Sequence, residues 1–110
     1  MNSIKDYPDF KSFYPYYLSE HQNFICRVLH FIGTFGVILI IISAILINYK
    51  LFFFAPLCGY SFAWAGHFFF EKNKPATFKY PLFSLIGDFV MFFHIVIGKE
   101  KINPQLKNKS

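Results

Sequence analysis

Six ionisable residues that could bind a metal or move a proton sit in or beside apolar stretches: His21, His30, His67, Glu71, Asp88 and His94. Ionisable groups in such places are unfavourable in lipid and point to function by default. His67 and Glu71 stand at i and i+4, so on a helix they share a face and can reach one ion together. Tyr60 and Trp64 precede them on nearly the same stripe, and Lys72, Asn73, Lys74 and Pro75 then end the helix. Two or three neutral imidazoles with a carboxylate and open positions suit non-haem iron(II), with zinc the usual competitor. A dry apolar mouth beside such an ion suits a fatty substrate whose chain remains in lipid. Each residue also has a plainer reading. A His-x-x-x-Glu pair at a helix end serves equally as a structural hydrogen-bonded pair, and His21 as a solvated loop residue. His94 suits a core or interfacial position, and Asp88 can bond a neighbouring helix or a lysine.

The elements that must position these residues follow from composition. The chain has 110 residues, 55% hydrophobic, 23% aromatic and only 15% charged, with seventeen Phe, seven Tyr and a net charge of +5. One small core cannot hide that aromatic load, because a domain of this size buries only about two-thirds of its surface. Disorder and a multi-domain organisation are both excluded. Cys26 and Cys58 make no disulfide framework. The class that remains is an all-α integral membrane helical bundle. Apolar stretches cover 31–48, 51–70 and 82–98, against about 17–20 residues needed to cross a ~30 Å hydrocarbon layer. The first two form a tight hairpin through Asn48, Tyr49 and Lys50. The third, short and carrying Asp88, reads as a transmembrane or re-entrant helix. Residues 1–30 open with MNSIKDYPDF, which has no apolar signal region. Their aromatic segment Phe10 to Leu18 reads as a helix on the membrane surface, a loop packed over the bundle being the alternative. A basic tail, 99–110, closes a single membrane domain.

The hairpin places His30, just before the first span, and His67, near the end of the second, at one depth. His21 stands nine residues before His30, opposite it on an unbroken helix; a helix start at the N-cap residue Asn23 frees His21 to fold back. The basic residues divide as three before the first span, one at Lys50, three in the 71–81 loop and four in the tail. That distribution puts the N-terminus and the 71–81 loop on the cytoplasmic face and disfavours a full crossing by the third helix. No Gly-rich phosphate loop, Cys-x-x-Cys pair or Ser-His-Asp set is present, and the scattered lysines make no nucleic-acid face.

YLSEHQNFICRVLHFIGT (Tyr17 to Thr34) and GYSFAWAGHFFFEKNKPATFKYPLFSLIGDFVMFF (Gly59 to Phe93) resemble a small membrane family once known only as a domain of unknown function. That family includes the fungal endoplasmic-reticulum 2-hydroxy-fatty-acid dioxygenase of phytosphingosine degradation. The resemblance implies iron ligands at His21, His30 and His67, with Glu71 as the motif glutamate and candidate catalytic residue. It implies Fe(2+) as cofactor, O2 and a 2-hydroxy fatty acid or related lipid as substrates, and loss of the carboxyl carbon in an α-oxidation. Lys72 and Lys74 are placed to attract the carboxylate. The chain is shorter than the fungal enzymes between His30 and His67, and removing an even number of spans keeps both histidines on one side. By the resemblance, the location is an inner membrane in a bacterium or the endoplasmic reticulum in a eukaryote. The competing reading is a non-catalytic membrane protein with structural histidines, in a lipid-binding or assembly role.

Overall fold

The computed structural model describes residues 7–73 and 79–104. Lys5, Lys74, Lys107 and Lys109, and the motif residues Pro75, Ala76 and Thr77, lie outside the described residues. All regular structure among the described residues is helical. Helix α1 spans Phe10–Ser19, and the Asp9 carboxylate caps it by accepting the Ser12 N–H at 2.9 Å. Helix α2 spans Phe24–Leu46 and starts where the sequence predicts, with the Asn23 side chain accepting the Cys26 N–H at 3.1 Å. Its 23 residues reach about 34 Å, and among the described helices α2 alone is long and apolar enough to cross a membrane.

The stretch expected as one helix over 51–70 is a continuous run of three pitches. A 3-10 segment, Tyr49–Phe53, leads into α3, Phe54–Ala65, and a π-helical turn, Gly66–Glu71, follows. Pro56 explains the first change. Without an N–H it cannot bond back to Phe52, so the α-helix starts with Pro56 in its first turn. Helix α4, Pro81–Val96, begins on a proline whose missing N–H is an orphan at that position in any case. Its 16 residues extend about 24 Å, less than a hydrocarbon layer.

Helices α2 and α3 pack antiparallel as the hairpin, and α4 lies against α2. The π turn meets the start of α2 so closely that a Cβ on Gly66 would stand 3.2 Å from the Cys26 Cα. Helix α1 does not lie free on a surface. Phe13 and Tyr17 are fully buried against Met91 of α4, and a Cβ on Gly87 would stand 2.8 Å from the Tyr17 ring. The outer faces carry large exposed apolar side chains, among them Ile32, Phe35, Leu39 and Ile42 on α2 and Phe52 to Phe54 past the turn. Exposed apolar area this continuous needs a partner other than water.

Candidate metal centre

Three histidines from three elements converge. His21 sits in the loop after α1, His30 is in the second turn of α2, and His67 is in the π turn. They are 1%, 3% and 2% exposed, and their ligand nitrogens all lie within 4.8 Å of one another. Ring centroids are 4.4 to 4.8 Å apart, and the rings stand nearly perpendicular, at 76° to 89°. The hairpin levels His30 with His67, and the break at Asn23 turns His21 back onto them.

The decisive feature is where the outer nitrogens point. His21 Nδ1 lies 2.6 Å from the Tyr17 carbonyl, His30 Nδ1 2.9 Å from the Cys26 carbonyl, and His67 Nδ1 2.8 Å from the Asn73 side-chain oxygen. Carbonyl oxygens only accept, so each Nδ1 must carry the hydrogen, and each Nε2 is left as a bare lone pair. The Asn73 amide is oriented consistently, since its nitrogen donates to the Glu20 carbonyl and carboxylate at 3.3 and 3.2 Å. The Nε2 atoms of His21 and His30 face each other at 3.1 Å. Burial and the adjacent imidazoles push His21 well below its usual titration range, so the ring stays neutral rather than relieving the contact with a second proton. Two facing lone pairs at that distance repel unless a cation stands between them. The three side chains could hold a metal ion, and their outer hydrogen bonds are those that orient ligating histidines.

The surroundings hold the three elements in place. Arg27, 1% exposed, donates from Nε to the His21 carbonyl at 2.6 Å. Its Nη1 reaches the Glu100 carboxylate at 3.1 Å and the Lys101 carbonyl at 2.7 Å. Glu100 arrives there because Gly98, at φ 85°, ends α4 and turns the chain back, with the Lys99 and Glu100 N–H groups on the His94 carbonyl. Lys72, at φ 62°, ends the π turn and brings Asn73 back under His67. Neither Arg27 nor Asn73 was expected at the site. Arg27 reads in sequence as one more interfacial cation, and no regular helical spacing pairs positions six apart.

The remaining candidates lie elsewhere. Glu71 does not turn toward the imidazoles: its carboxylate accepts the Asn23 backbone N–H, at the positive end of α2. His94 Nδ1 pairs with the Tyr14 hydroxyl at 2.9 Å, away from the cluster. Asp88 takes the Tyr17 hydroxyl at 2.5 Å, and the Tyr17 ring stacks on His21 at 4.0 Å. Asp88 and His30 also line one cavity of ≈240 Å³ between α2, α3 and α4.

The family model described as 2-hydroxy-palmitic acid dioxygenase Mpo1-like matches residues 7–100. The chain belongs to the Mpo1-like family. No curated protein and no solved structure matches the chain. The matched region takes in all three histidines, Tyr17, Asn73, Arg27 and Glu100, and the family's description suggests a role related to 2-hydroxy fatty acid oxidation.

Proposed function

We propose that the chain is an iron(II)-dependent membrane dioxygenase that shortens a 2-hydroxy fatty acid by one carbon, with His21, His30 and His67 as the metal ligands. The observation that carries this reading is a cluster of three buried histidines whose Nδ1 hydrogens all go to oxygen acceptors, with the Nε2 lone pairs of His21 and His30 facing each other at 3.1 Å. Each ring's one hydrogen is already spent on a carbonyl oxygen, so neither His21 nor His30 has a donor left for the Nε2–Nε2 contact between them. Membership of a family described as dioxygenases favours iron over zinc, because zinc has no redox chemistry. The reaction closes with oxygen as the sole oxidant: R–CH(OH)–COOH + O2 → R–COOH + CO2 + H2O. When bound, iron(II) supplies Lewis acidity and the redox capacity that oxygen chemistry needs.

The chain's own residues do the rest. Tyr17, Cys26 and Asn73 hold the three rings by their carbonyl oxygens. Arg27 fixes the backbone that carries His21. Glu71 acts as a positioning residue, holding the start of α2 against the π turn. Burial excludes water from the centre. The exposed apolar faces of α2 and α3 support an integral membrane location, with the fatty substrate reached from the lipid side.

Anaerobic iron loading of detergent-purified protein, followed by addition of the 2-hydroxy acid and admission of O2, tests this reading, with iron content read before and product mass after oxygen is admitted. Near-stoichiometric iron and a product one carbon shorter than the added 2-hydroxy acid are expected. The His67→Ala variant should lose iron while still inserting. Full iron content in that variant would overturn the assignment.

A further inference from the structure

We propose that the cavity between α2, α3 and α4 is the acyl-chain site of this centre, holding a straight-chain 2-hydroxy acid with its head beside His30 and Asp88 and its tail running to Phe52, an assignment that rests on the metal reading above. On α2 the wall is a single stripe, His30, Thr34, Val37 and Ile41. At 1.5 Å per residue that stripe is about 16 Å long, the reach of an extended acyl chain rather than of a compact ligand. On α3 the facing positions Ala55, Gly59 and Ala63 recur every fourth residue, and their small size leaves the groove open between the packed helices.

Polarity is graded along the groove. His30, Thr34 and Asp88 stand at one end, and beyond Val37 and Ile41 the wall is apolar down to Phe52 and Pro56. That is the profile of an amphiphile with one polar end. His30 is shared by the metal centre and the cavity, so a head group seated there is at the histidine cluster while the tail occupies the groove. Asp88 gives the head end its selectivity. One of its oxygens accepts from Tyr17, and a carboxylate keeps further acceptor capacity for a hydroxyl donor. A fatty acid without the 2-hydroxyl leaves that capacity unused beside apolar walls, and the site disfavours it.

Photolabelling of the full-length, iron-loaded protein in anaerobic nanodiscs tests this, using 2-hydroxy fatty acids that carry a diazirine on the terminal carbon or next to the head. The terminal probe should label Ile41, Phe52 or Ala55, and the head probe Leu85 to Phe89, both competed by excess unlabelled 2-hydroxy acid. A probe lacking the 2-hydroxyl should label at least about tenfold less, and Asp88→Asn should narrow that ratio. Each methylene excluded from the groove weakens binding about fourfold. Ala55→Leu should therefore lower labelling by the longest competent probe about tenfold and spare a shorter one, with iron content unchanged. Phe52→Ala, at an exposed position, should extend the accepted length and decides the matter where Ala55→Leu does not fold. Uncompeted labelling spread over the outward residues Leu39, Phe53 and Leu57, in protein that holds iron, would overturn the acyl site and leave the metal reading standing. Competed labelling of Ile41 and Phe52 in protein that binds no iron would overturn the metal reading instead.

Discussion

Removing the Asn73 side-chain carbonyl takes away the acceptor that holds the His67 Nδ1–H, and the imidazole is then free to turn or to take its other tautomer. Loss of such an outer partner commonly weakens metal binding ~10–100-fold. Asn73→Ala should do the same here without emptying the site, as competition with a metal chelator would show. Glu71→Gln separates two roles. A glutamine oxygen can still accept the Asn23 N–H, so iron content should be unchanged. Stability should fall by no more than ~1 kcal/mol, the usual worth of a charge at a helix N-terminus. Loss of iron in that variant, measured beside its thermal unfolding, would return Glu71 to the metal. Histidine positions were legible in the chain because a hairpin equalises depth and Asn23 is a strong cap. Asn73 was not, because only a π turn closed by a left-handed Lys72 brings position 73 under position 67. The same spacing argument that put Glu71 beside His67 missed the pull of the α2 N-terminus, which lies next to it in space and far from it in sequence.

Two contacts between elements set the frame of the centre, and both can be broken singly. Arg27 and Glu100 form a buried pair at 3.1 Å, so Arg27→Ala takes the guanidinium from a buried carboxylate and should cost ~1.5–3 kcal/mol, the usual worth of a hydrogen bond to a charged group. Replacing both, Arg27→Met with Glu100→Leu, should recover part of that loss, since well-packed apolar side chains often match a buried ion pair. Metal affinity should stay lowered in the double variant, because the His21 carbonyl still lacks its donor. Denaturant unfolding and chelator competition on the two variants read these effects separately. Gly87→Ala drives a methyl toward the Tyr17 ring, at 2.8 Å, and overpacking of that kind costs ~1–3 kcal/mol. The helical segments and the hairpin turn were readable from apolar runs and caps. The docking of α1 was not, because an aromatic-rich segment looks the same whether its rings meet headgroups or a helix. Phe13 and Tyr17 at i and i+4 pack on Met91, and Gly87 makes room for the Tyr17 ring.

At the scale of the whole molecule, the exposed apolar side chains decide what surrounds the protein. The apolar stretch of α2 is only 22% buried within the protein, whereas the core helix of a soluble domain would be mostly covered. We propose that the run from Tyr49 through Glu71 crosses with α2, since it is continuous through its changes of pitch and packs back along α2. With these two segments in lipid, Lys50 and Lys72 come out on opposite faces, and the histidine cluster lies at the Lys72 level. On the lysine distribution we propose that this face is the cytoplasmic one. Single cysteines at positions 50 and 72, in a variant with Cys26 and Cys58 replaced by alanine, report this directly. In sealed, right-side-out vesicles a membrane-impermeant maleimide should label position 50 at once and position 72 only after permeabilisation. Labelling of both positions from the outside would place the two helix ends on one face and remove the hairpin from the membrane. The centre itself would survive that result, because His21, His30 and His67 are brought together by the pairing of α2 with α3 and by the turn at Asn23, and neither contact needs lipid to form.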